Sequence, residues 1–562
     1  MPGSKTPIFS PHESRPGPPP WSSRDRLLLP RHLYSFVTPS SRNASAERVA
    51  GSRLSCYDSG DVTPPLAKVL IANRGEIAVR IIRTCREVGL GSVAVFSEAD
   101  RESLHVLLAD EAVPLGPSTP AESYLNIDKL VAAARATGAD AIHPGYGFLA
   151  ENAAFAEACA AAGLVFIGPP PAAIRSMGDK VAARRVAREL GVPVIPGTER
   201  PLSDEDEALR VAAQVGYPLM IKAALGGGGK GMRLVRGPDE LAAALRGARS
   251  EAETAFGNAA VYLERYLEEP RHIEIQILAD GHGNVVHLGE RECSIQRRHQ
   301  KLIEESPSPF VDRELRHRIG DAACRIASAA GYVNAGTVEF LVDRGRQFYF
   351  LEMNTRLQVE HPVTELVTGR DLVKEQFRIA AGEKLGFTQD DVVWNGWAIE
   401  CRINAEDPYA GFVPSPGRIT NLRSANGPWV RDDSGVYSGY TIPRFYDTLM
   451  AKLIVWAPDR GGAIARMARA LAEYEVVGVR TTIPLLQHII RGREFAAGQL
   501  STQFLERVLR EHRGEASSRR RTVALIAATL AAYDRAGKES LVNTRPGSSA
   551  WRLGSRPGWG SR

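Results

Sequence analysis

Two glutamates and an asparagine on either side of residue 345 have the spacing of a divalent-metal site. Glu339 and Glu352 lie in two mostly apolar runs that flank a turn at Gly345-Arg346. A hairpin centred on that turn would set the two carboxylates opposite each other, where they repel unless a cation lies between them. Mg²⁺ that also binds nucleotide phosphates fits this position, and Asn354 offers a further oxygen. Two solvated surface glutamates are the alternative, and the apolar neighbours argue against it.

A second polar group follows directly along the chain. Arg356, Gln358 and Glu360 occupy alternate positions, and in an extended backbone they would project to one face. A cation, an amide and a carboxylate on one face suit a small oxyanion that must be held and deprotonated, with Glu360 as the general base. By spacing alone, a surface ion pair fits these residues at least as well.

A glycine run separates two short apolar segments further upstream. Residues 226–231 read Gly-Gly-Gly-Gly-Lys-Gly, a length too short for a crossover helix, so the flanking segments are predicted to form a hairpin. The run lacks the pattern of a P-loop, but its backbone N–H groups could close over phosphates as a mobile flap. A flexible turn without a ligand fits the run equally well.

Alternating strands and helices would position these groups. Apolar runs at 68–71, 93–96 and 141–143 alternate with helical stretches at 77–88, 125–137 and 151–162, a pattern typical of a doubly wound parallel sheet. Further along, the sequence predicts a helix over 174–191 and hairpins at 219–235, 271–288 and 337–353, and then closing helices at 461–474 and 482–491. The predicted fold class is α/β with α+β parts.

The composition limits the class of protein. The chain has 562 residues, of which 44% are hydrophobic and 24% charged, typical of a multidomain globular protein. The 70 basic and 65 acidic residues are spread along the chain, which argues against nucleic-acid binding. No apolar run is long enough to cross a bilayer. The six cysteines are scattered without a CxxC pair, so we predict a reduced, cytoplasmic protein without membrane contact.

Seven sequence blocks resemble a single family. In chain order they are Ile71–Ala78 (IANRGEIA), His143–Leu149 (HPGYGFL), Met177–Lys180 (MGDK), Gly228–Arg233 (GGKGMR), Arg291–Lys301 (RECSIQRRHQK), Glu352–Arg356 (EMNTR) and Glu400–Glu406 (ECRINAE). They are similar to the biotin carboxylase component of the biotin-dependent carboxylases of acetyl-CoA, propionyl-CoA or pyruvate type, which belongs to the ATP-grasp superfamily. The resemblance covers roughly residues 67–510.

The resemblance implies a domain arrangement. It predicts a Rossmann-like, doubly wound N-terminal domain over 66–178, an ATP-grasp domain over 179–378 with a glycine-rich lid at about 195–267, and a C-terminal biotin carboxylase domain over 397–510. Residues 1–65, rich in Ser, Pro and Arg, are predicted to be a disordered leader. Residues 511–562 are a tail to which we assign no role.

The resemblance also implies the roles of individual residues towards ATP and metal. Lys180 and Lys222 would hold ATP phosphates. The nucleotide would further contact Gly227, Gly228, Gly229, Lys230, Gly231, Glu264, Arg265, Leu267, His272, Gln296, His299 and Leu341. Mg²⁺ or Mn²⁺ would bind Glu339, Glu352 and Asn354.

The reaction implied by the resemblance joins bicarbonate to biotin. Lys301, Arg356, Gln358 and the Val359 backbone would hold bicarbonate, with Glu360 as its base. Deprotonated bicarbonate would attack the γ-phosphate of ATP to form carboxyphosphate, whose CO₂ passes to biotin. Arg402 would stabilise the biotin enolate. The predicted function is therefore ATP- and bicarbonate-dependent carboxylation of biotin, the first half-reaction of an acyl-CoA or pyruvate carboxylase.

The biotin is predicted to come from another chain. Family members that carry their own biotin have an Ala-Met-Lys-Met turn, whereas the single lysine after residue 452, Lys538, has no methionine beside it. The resemblance therefore implies a separate biotin carboxyl carrier protein and carboxyltransferase subunits as partners. It also implies a homodimer, formed through Arg83, Glu87 and the region of Trp429 and Arg431.

Two other functions stay open from the sequence. Another ATP-grasp ligase, which forms carbamoyl phosphate or joins an amino acid, would share the metal carboxylates and the lysines. It would not explain Arg356 together with Glu360, or the block around Arg402. A non-catalytic assembly or regulatory subunit is the other alternative, against which the intact set of polar residues argues.

Overall fold

The structure of the chain is a computed structural model, which describes residues 66–198, 200–223, 232–256, 258–297, 300–511 and 526–530. The predicted leader, His299, most of the predicted tail, and the glycine run with Gly227, Gly228, Gly229, Lys230 and Gly231 lie outside the described residues. No helix among the described residues is long and apolar enough to cross a membrane.

A five-stranded parallel sheet forms the first part of the fold. Its elements are β1 Lys68–Ile71, α1 Gly75–Val88, β2 Gly91–Ser97, α2 Leu104–Leu108, β3 Glu111–Gly116, α3 Ile127–Thr137, β4 Ala141–His143, α4 Ala153–Ala161 and β5 Val165–Phe166. The strand order is β3-β2-β1-β4-β5, and every neighbouring pair is parallel. Val69 and Ile71 pack into one hydrophobic core and Leu70 into another, because a parallel sheet is covered on both faces. The predicted doubly wound sheet is confirmed.

A smaller antiparallel unit follows. Its elements are α5 Pro171–Gly178, α6 Lys180–Glu189, α7 Glu205–Val215, β6 Leu219–Ala223, β7 Arg233–Val235, α8 Pro238–Phe256 and β8 Val261–Arg265. The three strands form a sheet in the order β7-β6-β8, and β6 pairs with β7 in the predicted hairpin. The single helix predicted over 174–191 is wrong. It is interrupted at Asp179, whose side chain accepts hydrogen bonds from the N–H groups of Val181 and Ala182 and so starts a second helix.

One eight-stranded sheet carries the rest of the chain. Its elements, with those that cover it, are β9 Arg271–Ala279, β10 Val285–Arg297, β11 Gln300–Ser306, α9 Arg313–Ala329, β12 Asn334–Val342, β13 Phe348–Asn354, α10 His361–Thr368, α11 Leu372–Ala380, β14 Trp397–Asn404, β15 Glu406–Asp407, β16 Val413–Pro414, β17 Gly417–Arg418, β18 Asn421–Arg423, β19 Val430–Ser434, β20 Thr441–Ile442, β21 Leu449–Ala457, α12 Arg460–Glu473, β22 Glu475–Val477, α13 Ile483–Ile490 and α14 Arg493–Ala496. The strand order is β13-β12-β9-β10-β11-β14-β21-β19. The sheet therefore runs without a break from the predicted ATP-grasp part into the predicted C-terminal part, joined where β11 pairs with β14.

The β12–β13 hairpin brings Glu339 and Glu352 opposite each other, as predicted, but by another route. Next to the turn, Val342 pairs with Phe348, which fixes a register that would set Leu351 opposite Glu339. A bulge after Glu339 shifts the register by one residue and restores the pairing of Glu339 with Glu352. A β-bulge inserts one extra residue and re-aims the side chains beyond it. The predicted pairing of Glu339 with Glu352 is thus confirmed. The symmetric hairpin from which it was predicted is wrong, because the bulge breaks the symmetry.

Candidate active site

A cleft of about 1460 Å³ gathers most of the predicted site residues. The predicted site residues that line it, together with others, are Lys180, Lys222, Glu264, His272, Gln296, Lys301, Glu339, Leu341, Glu352, Asn354, Arg356, Gln358, Val359, Glu360 and Arg402. Arg265 and Leu267 do not line this cleft. Arg265 ends β8 as an exposed residue, one position after Glu264, because neighbouring residues of a strand face opposite sides.

A row of charged side chains crosses four adjacent strands and reaches the cleft at Glu339 and Glu352. Arg291 on β10 pairs with Glu274 on β9, Glu274 with Glu339 on β12, and Glu339 with Glu352 on β13. Cross-strand partners lie about 4.5–5.5 Å apart at Cβ, so three carboxylates stand side by side. Such an arrangement is stable only when cations lie among the carboxylates.

Each carboxylate of the metal-site prediction has a basic partner. Glu339 is 5% exposed, and its Oε2 lies 2.9 Å from His272 Nε2 while its Oε1 lies 3.2 Å from Lys301 Nζ. Glu352 pairs with Lys180 at 2.7 Å, and the Lys180 side chain is 71% exposed. Asn354 donates a hydrogen bond to Glu339 at 2.7 Å. Two carboxylates and an amide oxygen are hard donors, so this set fits Mg²⁺ or Mn²⁺.

Glu360 lies deep in the cleft between two cations. Its Oε1 is 2.6 Å from Lys301 Nζ, and its Oε2 is 2.7 Å from Arg402 Nη2. Burial opposes the ionisation of Glu360, but Lys301 and Arg402 outweigh it and hold the pKa of Glu360 well below its usual value. Lys301 also pairs with Glu274, so the ammonium is shared among several carboxylates. A base held as a carboxylate beside two cations is suited to an anionic substrate that must lose a proton.

The backbone around these residues differs from the prediction. Residues 355–360 form a bend and a turn, so the expected extended segment with all three side chains on one face is wrong. Gln358 turns towards the metal-site carboxylates and donates to Glu339 at 2.8 Å. Arg356 instead pairs with Glu151 at 3.0 Å and donates to Asn354 at 2.9 Å. The two side chains still reach the same cleft, from two directions.

At the end of the cleft where nucleotide binding is predicted, Glu264 is the central carboxylate. This carboxylate accepts from Lys222 at 2.6 Å and from Arg184 at 2.5 Å. Burial opposes its ionisation, but the two cations outweigh it and lower the pKa of Glu264. In the same region, Gln296 donates to His272 Nδ1 at 3.2 Å. A lysine with a fixed position and an exposed side of its ammonium group is suited to phosphate oxygens.

Several buried charged residues of the site were not singled out from the sequence. Arg291 is fully buried and donates to Gln276 at 2.7 Å and to Thr337 at 3.0 Å, besides its contact with Glu274. Glu304 binds Arg402 at 2.5 Å. A signal was present in β9, where His272, Glu274 and Gln276 alternate with isoleucines. Period-two alternation in a strand predicts one polar and one apolar face.

Lys452 holds the backbone next to Glu360. It lies on β21, is fully buried, and pairs in register with Arg402 on β14. Its Nζ donates to the Val359 carbonyl oxygen at 2.9 Å and lies 3.2 Å from Glu76 Oε2. Two neighbouring cations on paired strands thus fix residues 359 and 360, one through the backbone and the other through the carboxylate.

We expect Lys452→Met to lower the free energy of unfolding by about 3 kcal/mol at neutral pH. The change leaves the buried Asp433, 4.0 Å from Lys452 Nζ, with less positive charge around it. Burial raises the pKa of Glu76 to about 7, so Glu76 can take up a proton and limit the loss. Chemical denaturation measures the change, with the exposed Lys384→Met as the control. A loss no larger than that of the control would contradict the expectation.

Comparisons with known proteins match this architecture along most of the chain. Residues 65–174 match the family described as "Biotin carboxylase, N-terminal domain", and residues 400–507 match "Biotin carboxylase C-terminal domain". Residues 179–388 match "Carbamoyl-phosphate synthase L chain, ATP binding domain". The biotin carboxylase of Nostoc sp. is 58% identical over 439 residues, which are 78% of this chain and 98% of that protein. The chain belongs to the biotin carboxylase family.

Other members of the family extend the likeness. Biotin carboxylase 1 of Bacillus subtilis is 54% identical over 442 residues, which are 78% of this chain and 98% of that protein. The biotin carboxylase domain of the Hydrogenobacter thermophilus 2-oxoglutarate carboxylase superposes with a TM-score of 0.74 at 49% identity, covering 79% of this chain and 98% of that one. That crystal structure contains MgADP, ADP and bicarbonate. The family resemblance and the fold class inferred from the sequence are confirmed, whereas the predicted domain limits and residue roles stay predictions.

Proposed function

We propose that this chain carboxylates biotin on a separate carrier protein with ATP and bicarbonate, as the first half-reaction of an acyl-CoA or pyruvate carboxylase. The observation that carries the proposal is the placement of Glu360 between Lys301 and Arg402, in one cleft with Lys180 and Lys222. A base flanked by cations serves bicarbonate, and two lysines at the other end of the cleft serve the phosphates. The relative whose crystal structure contains MgADP and bicarbonate supports this assignment.

The bicarbonate step rests on the groups around Glu360. Bicarbonate takes the place beside Lys301, Arg356 and Gln358, where its charge is neutralised and its hydroxyl faces the Glu360 carboxylate. Glu360 removes the proton, and the resulting oxyanion attacks the γ-phosphate of ATP in line, giving carboxyphosphate and ADP. Lys180 and Lys222 hold the phosphates during this displacement, while Glu264, His272, Gln296 and Leu341 contact the nucleotide.

Metal binding is proposed at Glu339, Glu352 and Asn354. Mg²⁺ or Mn²⁺ held by these residues would supply the positive charge that neutralises phosphate oxygens in phosphoryl transfer. The chain contributes the two opposed carboxylates and keeps Glu339 in place through His272 and Lys301. The Lys180 ammonium, largely exposed, is free to turn from Glu352 towards a phosphate oxygen.

The biotin step is proposed at Arg402. Carboxyphosphate gives CO₂ and phosphate, the phosphate takes the N1′ proton of biotin, and the enolate oxygen that forms is stabilised by the Arg402 guanidinium. Because Arg402 is already held by Glu304, its charge is oriented before the enolate forms. The nitrogen then attacks CO₂ to give carboxybiotin.

Partners and location belong to the same proposal. A biotin carboxyl carrier protein and carboxyltransferase subunits act in trans. A homodimer is proposed through α1, where Arg83 and Glu87 are exposed, and through the region of Trp429, which is 60% exposed. Arg431 in that region is held by Glu365 at 2.7 Å. The cytoplasmic location predicted from the scattered cysteines stays a prediction.

ATP hydrolysis tests the proposed function against another ATP-grasp ligase. We expect hydrolysis by the purified chain to require bicarbonate and to rise when free biotin is added, with ¹⁴C from labelled bicarbonate appearing in carboxybiotin. Hydrolysis that instead requires ammonia or an amino acid would favour the other ligase. No ATP turnover under any of these conditions would favour a non-catalytic subunit.

We expect Glu352→Gln to raise the Mg²⁺ concentration for half-maximal activity by at least about tenfold, because a neutral amide is a weaker ligand than a carboxylate. Titration of ATP hydrolysis with Mg²⁺ measures the shift. Asp343→Asn, in the turn of the same hairpin and outside the cleft, is the matched control. An unchanged Mg²⁺ requirement in Glu352→Gln would remove this residue from the metal site.

A further inference from the structure

A buried glutamate without a hydrogen-bond partner lies two residues before Arg402. Glu400 on β14 is 0% exposed, and neither of its carboxylate oxygens has a partner among the described residues. Directly across the ladder lies Glu304 on β11, whose Oε2 is also buried and without a partner among the residues that the structure describes. The other oxygen, Oε1, accepts from Arg402 Nε at 2.6 Å and lies 2.5 Å from Arg402 Nη2. Two carboxyl groups thus face each other behind the arginine of the cleft.

The two groups cannot both be ionised in this dry environment. Opposed carboxylates about 5 Å apart at Cβ repel strongly when water is excluded. Burial raises the pKa of Glu304 too, but Arg402, which is bound to Glu304, opposes that rise and favours the carboxylate. Lys452 on the neighbouring β21 is directed to the Val359 carbonyl and to Glu76 instead of Glu400.

The charges around Glu400 favour its neutral form. Burial raises the pKa of Glu400 well above its usual value; Lys452 and Arg402 oppose the rise, and the carboxylates of Glu304 and Glu360 add to it. A buried carboxyl group whose ionised form has no bound cation takes up a proton. The acid then has an O–H to donate, and Glu304 Oε2 is the acceptor in register with it.

We propose that Glu400 and Glu304 share one proton, with the Glu400 carboxylic acid donating a hydrogen bond to Glu304 Oε2. This bond orients the Glu304 carboxylate so that Oε1 faces Arg402, and Arg402 is thereby aimed into the cleft. Glu400 and Glu304 are positioning residues, and their effect on catalysis rests on the proposed role of Arg402 in the biotin step. The arrangement requires a hydrogen-bond donor at position 400 and does not require a negative charge there.

Two substitutions of Glu400 separate the donor from the charge. We expect Glu400→Gln, which keeps a donor, to carboxylate biotin within about threefold of the unchanged chain, and Glu400→Met, which has none, to fall by about tenfold, the equivalent of one lost hydrogen bond. The fall should appear in biotin-stimulated turnover and not in the KM for ATP. Equal losses in both variants, or no loss in Glu400→Met, would overturn the proposal.

An infrared measurement tests the proton itself and does not depend on activity. At neutral pH, the difference spectrum between the unchanged chain and Glu400→Gln should contain the C=O stretch of one protonated carboxyl group. Glu305→Gln is the control, because Glu305 is equally buried on the same strand as Glu304 but pairs with Arg460 at 2.8 Å. It should keep the band. An unchanged spectrum in Glu400→Gln would overturn the proposal even if Glu400→Met fails to fold. Failure of the unchanged chain to carboxylate biotin would instead reject the proposed function.

Discussion

We expect Glu360→Gln to lower the rate of biotin carboxylation by about 10³-fold, the typical contribution of a positioned general base. The amide keeps the shape of the side chain but cannot accept the bicarbonate proton. It also loses the ion pairs with Lys301 and Arg402. Because these cations hold the pKa of Glu360 well below its usual value, the base is ionised throughout the neutral range. Glu360 can accept the bicarbonate proton once bicarbonate also binds Lys301, because Lys301 then stabilises the Glu360 carboxylate less.

The measurement is the fixation of labelled bicarbonate into carboxybiotin under single-turnover conditions. The KM for ATP should change little, since the proposed nucleotide contacts are centred on Glu264 and do not include Glu360. Glu290→Gln provides the control, because this carboxylate is equally buried but pairs with Arg316 at 2.6 Å, outside the cleft. Near-normal turnover in Glu360→Gln would refute the assignment of the base.

We expect Arg402→Ala to slow biotin carboxylation by about 10²-fold to 10³-fold, the loss that is typical when a preorganised donor to an oxyanion is removed. The binding of ATP should be affected far less. The substitution also leaves two buried carboxylates, Glu304 and Glu360, without the cation that joins them, so a lower thermal stability accompanies the loss.

Arg402→Lys distinguishes the two effects. Lysine keeps the charge between the carboxylates but cannot reproduce the planar donor pair of a guanidinium. We expect it to restore most of the stability while the biotin-stimulated rate stays low and the KM for ATP stays normal. Equal losses of ATP binding and biotin carboxylation in Arg402→Ala would count against a role at the biotin end.

Much of the fold could be predicted because local signals were strong. Helix α1 ends where predicted, at Val88, and the next residue, Gly89, takes the left-handed conformation (φ 77°) that glycine adopts without strain. The helix over 174–191 was predicted as one because its apolar spacing continues through Asp179, and propensity alone did not reveal the cap within it. The bulge after Glu339 was equally hidden, because a hairpin register depends on side-chain packing that a single strand does not display.

The residues of the site also differ in whether the sequence could reveal them. Glu339, Glu352 and Glu360 could be proposed from spacing, because the three lie close to one another in the chain. Glu304 and Lys452 act through partners that are 98 and 93 residues away, and such tertiary pairs leave no local pattern. Arg356 was predicted to share one face with Gln358 and Glu360, because the three alternate in the sequence. The bend and turn over 355–360 do not form that face.

The pairing of β11 with β14 fixes the distance between Lys301 and Arg402. Lys301 and Arg402 stand on adjacent strands of one hydrogen-bonded ladder, whereas Lys222 and Glu264 stand on a separate sheet of three strands. A movement of the smaller sheet relative to the larger one would therefore leave the distance between Lys301 and Arg402 unchanged. In the proposed reaction, CO₂ would cross a distance that the backbone of a single sheet sets.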